Sequence, residues 1–175
     1  SGSIENKETG AILSGVKTTE PGNVTNKNDS QWTVTGEDGK IYYGSLDKAL
    51  DDTKDKTADI TLDNDVKITG DKKLGENVSI NVPEDKKLTV SDDSTLTIPK
   101  NGNLNVEGSV DVAESGKIEN NGTVDVAEDG NMTNAGQVTG TGDVANKGNI
   151  INEETGTILS GVTSTDSGKV ENRNE

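Results

Sequence analysis

The chain has 175 residues, of which 27% are apolar, and 32 acidic against 17 basic side chains give it a formal net charge of −15. Phosphates of nucleic acids and anionic membrane surfaces repel such a chain, and no run approaches the roughly 20 apolar residues that insert into a membrane. The chain lacks Cys and His, which excludes disulfides, thiolate sites and the commonest metal ligand.

The first segment of the chain recurs near its C-terminus. Residues 2–28 align without a gap with residues 148–174 at an offset of 146, and 16 of 27 positions are identical. An ungapped match of this length indicates tandem duplication, so we predict that the chain is one module of an array with a period near 146 residues. Residues 1–28 are then the tail of the preceding repeat, and neighbouring copies of the same repeat are the expected partners.

Residues 29–44 predict a β-hairpin with strands over 32–35 and 40–43, because alternating apolar residues flank a turn at Glu37-Asp38-Gly39. The three aromatic residues of the chain are here, and they are the candidate binding residues of the sequence: Trp32, Tyr42 and Tyr43. Two interpretations are open. The aromatics form an exposed platform for carbohydrate, or the hairpin plugs the apolar end of the fold, and the second is better supported.

One helix is predicted, over residues 45–54. Ser45 is a candidate N-cap, and Leu46, Ala49, Leu50 and Thr53 recur at helical spacing and share one face. We assign the hairpin and this capping helix to residues 29–56 and a parallel β-helix to residues 57–175.

From residue 88 onward a short strand of apolar-polar-apolar pattern alternates with a turn that contains Gly. Low apolar content with high charge is typical of disorder, but this periodicity instead predicts a solenoid, whose thin core needs only alternate residues. Every third strand start is separated by 18–22 residues, which predicts three strands per coil; a two-strand coil of 12–16 residues is the alternative. The starts are Leu88, Leu96, Leu104, Val110, Ile118, Val124, Met132, Val138, Val144, Ile150 and Ile158.

Two polar residue types recur within the coils. We expect the turn glycines to supply positive φ at the corners, where a Cβ would be strained. Asn120, Asn134, Asn146 and Asn152 fall at the second inward position of their strands. They predict a stack of amides bonded to the backbone and to each other, and a polar row that binds a ligand is the alternative.

The stretch from Tyr43 to Val90 shows a family resemblance. The phrases YGSLDKALDD, ADITLDNDVKITG and VSINVPEDKKLTV resemble the opening of pectate-lyase-like right-handed β-helix modules in large surface proteins of Gram-positive bacteria. The resemblance covers about 50 residues, and the remaining coils resemble the Gly- and Asn-rich rungs of bacterial adhesins. It implies right-handed coiling and an extracellular location at the bacterial cell surface.

An enzyme is not expected from these residues. Lyases of the resembled family use an Arg or Lys base with Ca²⁺, but the only Arg is Arg173, in the repeated tail. The densest acidic stretches, residues 63–65 and 92–93, lack the turn Gly and terminal Glu of an EF-hand and are interpreted as solvated turns. We therefore predict no catalytic residue, no metal site and no cofactor.

The function predicted from the sequence is structural. We expect a tandem-repeat module that acts as a rigid stalk, with a reach of about 25–30 Å from five or six rungs spaced ~4.8 Å apart. The alternative is an adhesin module that binds a glycan or protein of a host or bacterial surface. A polysaccharide lyase or hydrolase is the third and weakest hypothesis.

Overall fold

The computed structural model describes residues 30–37, 39–165 and 167–174 with their side chains, and the backbone of residues 4–6 and 24–26. It shows a parallel β-solenoid of about six coils with one helix, which confirms the predicted fold class. The N-terminal elements are β1 (Ile4–Asn6), β2 (Val24–Asn26), β3 (Trp32–Gly36), β4 (Gly39–Tyr43), α1 (Leu46–Thr53), β5 (Ala58–Leu62), β6 (Val66–Ile68) and β7 (Asp71–Lys73).

The remaining strands make up the coils above these. They are β8 (Val78–Val82), β9 (Lys87–Val90), β10 (Thr95–Ile98), β11 (Asn103–Val106), β12 (Ser109–Val112), β13 (Lys117–Asn120), β14 (Thr123–Val126), β15 (Asn131–Asn134), β16 (Gln137–Thr139), β17 (Asp143–Asn146), β18 (Asn149–Asn152), β19 (Thr157–Ile158), β20 (Gly161–Ser164) and β21 (Lys169–Asn172).

Three stacked sheets form the walls of the solenoid. Their strand orders are β20-β17-β14-β11-β8-β5-β3-β4, β21-β18-β15-β12-β9-β6 and β19-β16-β13-β10-β7. Each coil contributes one strand to each sheet, so Leu88 lies beside Val110 and Leu104 beside Val124, as the 18–22-residue spacing predicts. The three-strand coil is confirmed, and the two-strand alternative is wrong.

The core is a set of vertical columns of branched aliphatic side chains. Leu104, Val124 and Val144 occupy one column and are almost completely buried, whereas the residues between them on each strand face outward. Since successive side chains of a strand point to opposite faces, half of each short strand is enough to fill so narrow an interior. This explains how a chain with 27% apolar residues folds.

The role expected for the turn glycines is wrong. Among the described residues, positive φ at glycine occurs at Gly39, Gly70 and Gly140. It occurs at none of the nine glycines predicted to occupy the turns of the coils: Gly102, Gly108, Gly116, Gly122, Gly130, Gly136, Gly142, Gly148 and Gly156. A Cβ on Gly148 would instead lie 2.3 Å from the carbonyl oxygens of Ala127 and Gly130 in the coil below. Glycine is therefore needed at such corners because successive coils approach too closely for any side chain.

The hairpin extends one sheet of the solenoid by two strands. β3 pairs antiparallel with both β4 and β5, so the sheet continues past the first coil. Helix α1 follows, and its predicted face is buried: Leu46, Ala49, Leu50 and Thr53. Ser45 precedes the helix as expected, but its side chain makes no capping hydrogen bond.

The described backbone of the repeated segment pairs in the same way at both ends of the chain. β1 lies parallel to β2 with Ile4 opposite Val24, and β18 lies parallel to β21 with Ile150 opposite Val170. Adding the repeat offset of 146 to the first pair gives the second. The two copies therefore share one strand register.

Candidate functional site: the two ends of the coil stack

The N-terminal end of the solenoid is covered by the hairpin and the helix. β3 pairs with the edge of β5, and α1 packs against the hairpin, with the Asp47 carboxylate 2.7 Å from the Lys72 Nζ of β7. Trp32 has 2% of its surface exposed, and the buried face of α1 joins the same core. Strand edges left open invite pairing with other chains, and this cover blocks that at one end.

A carboxylate joins the hairpin to the first coil. Asp63 follows β5 and accepts hydrogen bonds from the hydroxyls of Ser30 and Thr33, the latter at 2.8 Å to both carboxylate oxygens. The neighbouring Asn64 donates from Nδ2 to the Ser30 carbonyl oxygen at 2.8 Å. Two residues of the stretch predicted to be a solvated turn thus fix the cover in place.

Lys72 occupies an inward position that the sequence did not reveal. It lies in register with Leu96, at the bottom of a column that is apolar above it. Its stem closes the column, while its ammonium group reaches Asp47 of the helix, and its side chain is 17% exposed. β7 has no apolar residue, so the alternation that predicts the other strands is missing here.

The aromatic candidate residues do not form a platform. Trp32 and Tyr43 are buried and face the core, whereas Tyr42, on the opposite face of β4, is partly exposed. The Tyr43 hydroxyl donates to Asp52 at 2.9 Å, and burial followed by this carboxylate raises the pKa of Tyr43 to about 12. The placement of Trp32 and Tyr43 matches the plug interpretation, because little of either residue is left exposed.

A groove of about 330 Å³ runs between the hairpin and the C-terminal end of the helix. Its apolar wall comes from Val34, Ile41 and Ala58, and its polar wall includes Asp52 and Lys56. Tyr43 also lines this groove, which is open to solvent. The groove has the mixed lining of a binding site, although two of its lining residues, Tyr43 and Asp52, are already hydrogen-bonded to each other.

The asparagine row is a structural ladder. Asn134 Nδ2 donates to Asn152 Oδ1 at 2.7 Å, and Asn152 Nδ2 donates to Asn172 Oδ1 at 2.9 Å. Asn120 and Asn146 bind backbone at the corners, each accepting from a glycine N–H at 3.1 Å. The predicted amide stack is confirmed for Asn134 and Asn152, and it extends to Asn172, which the sequence also places two residues after an inward Val. Asn120 and Asn146 lie on the other two walls and are not part of that stack.

The C-terminal end of the stack is bare in the described part of the chain. β19, β20 and β21 are the last strands of their sheets, and each ends an apolar column: Ile158, Val162 and Val170. Val170 is 48% exposed, although Ile150 directly below it is buried. Leu159, on the same last turns, is 71% exposed.

The second acidic stretch, residues 92–93, makes hydrogen bonds to the neighbouring coil. Asp92 Oδ1 accepts hydrogen bonds of 3.1 Å from both the backbone N–H and the hydroxyl of Ser115 in the next coil. Among the residues that the structure describes, no three carboxylates are grouped closely enough to hold a metal ion. Within the same residues, no helix is long and apolar enough to cross a membrane.

No protein-family model matches the sequence, and neither a curated protein nor a solved structure matches it. The covered and the bare end of the stack are therefore the features from which a function is argued.

Proposed function

We propose that this chain is a structural module of an extracellular bacterial surface protein, one link of a rigid stalk built from tandem repeats, with no catalysis. One observation carries the proposal: a repeated segment, identical at 16 of 27 positions and with the same strand register, lies at both ends of the chain. Solenoids add length in equal increments because each coil contacts only its neighbours. The surface location comes from the resemblance of residues 43–90 to Gram-positive surface modules.

The reach of one module follows from its sheets. The longest sheet has eight strands, so a repeat adds about 38 Å at ~4.8 Å per strand. The sequence estimate of about 25–30 Å counted only the coils and left out the two strands of the hairpin. A spacer of this kind holds whatever it carries at a distance set by the number of repeats.

Small-angle scattering on chains of one, two and three repeats tests the proposal. Longer chains are made by joining residue 174 of one copy to residue 29 of the next, which preserves the 146-residue period. We expect the maximum dimension to grow by about 35–40 Å per added repeat. Growth that falls steeply with repeat number would show flexible joints and contradict a rigid stalk.

An adhesin module that binds a glycan or a protein receptor is the second candidate. The groove beside the hairpin and the partly exposed ring of Tyr42 are the observations that favour it. A glycan array probed with the single chain separates the two functions, because a spacer gives no signal. Binding that is lost in Tyr42→Ala, and retained in a variant of an exposed residue far from the hairpin such as Thr163→Ala, would replace the spacer with the adhesin.

A further inference from the structure

We propose that the bare C-terminal end of the coil stack is a docking surface for the hairpin and helix of a second copy of this chain, the following repeat, with β21 lying against β4 of that copy. This inference rests on the proposed function and names the partner and the contact through which the stalk is rigid. Its evidence comes from the asymmetry of the two ends and from the junction that the chain already contains.

The first observation is the junction within the chain. β2, the copy of β21, contacts β4, the strand at the end of the eight-stranded sheet. Because β1 and β2 carry the register of β18 and β21, the described strands at the N-terminus represent the last two coils of a preceding repeat. Transferring this arrangement to the other end places β4 of the next copy beside β21.

The second observation is what each end exposes. The last inward residues of the three columns, Ile158, Val162 and Val170, are left partly exposed, and Val170 is the most exposed of them. Within the described residues, the last strands of all three sheets also have no strand paired along one edge. Such a surface is both apolar and ready for strand pairing, and it is the kind of edge that proteins normally cover.

The third observation is the thickness of the cover. The hairpin adds two strands to one wall, about 9.6 Å, and helix α1, which forms an ion pair with Lys72 of a second wall, is about 10 Å across. The two parts of the cover therefore have a similar thickness, as a single layer between two coil stacks requires.

Docking predicts cooperative stability in a two-copy chain, made by joining residue 174 of one copy to residue 29 of the next. We expect this chain to unfold in denaturant at a higher midpoint than the single chain. Val170→Lys in the first copy should return the midpoint to that of the single chain, because it places an ammonium group in the junction. The same substitution should change the single chain much less, since Val170 is already 48% exposed there.

Thr163→Lys is the matched control, because Thr163 is exposed on the outward face of β20 and should change neither chain. Equal midpoints for the single and two-copy chains, or a two-copy chain insensitive to Val170→Lys, would overturn the docking contact. These outcomes are separate from a failure of the proposed function. An elongated two-copy chain in scattering, together with uncoupled unfolding of its copies, would reject the docking contact but leave the spacer function standing. Binding of a ligand on the glycan array would reject the spacer function.

Discussion

Asn134 and Asn152 lie one above the other in successive coils, and the amide of the first donates a 2.7 Å hydrogen bond to the amide oxygen of the second. Asn134 is fully buried and also donates to the carbonyl oxygens of Gly136 and Thr157, at 3.3 and 3.2 Å. One side chain thus joins two coils and satisfies the backbone at a corner. Buried amides of this kind are stabilising only while every partner remains.

Replacing a buried asparagine should therefore lower the free energy of unfolding more than replacing an asparagine on the outward face. We expect Asn134→Leu to lower the free energy of unfolding by about 1–3 kcal/mol, because it leaves buried acceptors without a donor. Asn105→Leu removes a hydrogen bond of 2.7 Å to Asn81 on the outward face and should cost less than about 0.5 kcal/mol. Denaturant unfolding monitored by circular dichroism measures both free energies of unfolding. Equal decreases for the two variants would mean that the buried amide ladder stabilises the fold no more than an exposed hydrogen bond does.

The corner glycines give a second prediction. Gly148→Ala should lower the free energy of unfolding by about 2–3 kcal/mol, because the added methyl group meets two carbonyl oxygens of the coil below. Gly161→Ala is the control, since its new Cβ would have only the Asp143 carboxylate at 3.8 Å within contact range. A tolerated Gly148→Ala would show that neighbouring coils are farther apart than the structure places them.

The inward and outward faces of strand β14 give a third prediction. Val124→Asp should destabilise the fold by at least about 3 kcal/mol, because it buries a carboxylate without a partner in a fully enclosed column. Asp125→Asn changes the next residue, which faces outward and is 3.8 Å from Lys147, and should shift the unfolding midpoint very little. Similar midpoints for these two variants would contradict the assignment of faces.

Tyr43 makes the cover sensitive to alkaline pH. Its folded-state pKa of about 12 lies above the ordinary value of 10, so the folded protein favours the neutral phenol. The resulting contribution to stability is present below pH 10 and is lost as the pH rises from 10 towards 12. Unfolding midpoints measured across this range should fall more steeply for the natural sequence than for Tyr43→Phe. The same dependence on pH for both proteins would show that ionisation of Tyr43 does not destabilise the fold.

The regular part of the fold was predictable because its signal is local. Inward residues such as Leu104 and Val124 repeat at a nearly constant step, and alternation within each strand specifies which face is buried. The helix was predictable for the same reason, from the spacing of Leu46, Ala49, Leu50 and Thr53. These features need no knowledge of distant partners.

What the sequence did not reveal depends on contacts between distant segments. The hydrogen bonds from Ser30 and Thr33 to Asp63 join residues at least 30 positions apart. None of these residue types is distinctive in the sequence alone. Lys72 is polar yet inward because helix α1 supplies a carboxylate below it, at the covered end of the column. The glycine requirement at Gly148 arises from the backbone of the previous coil, so spacing within one turn points to the wrong cause.

Stacking of repeats as one continuous solenoid is tested most directly by a distance across the junction. The chain has no Cys, so Thr163→Cys in both copies of a two-copy chain gives two defined sites for nitroxide labels. Pulsed electron paramagnetic resonance should then give one narrow distance distribution centred near 38 Å, the rise of eight strands at ~4.8 Å. A broad distribution would show that the two stacks move independently and would contradict the continuous stalk.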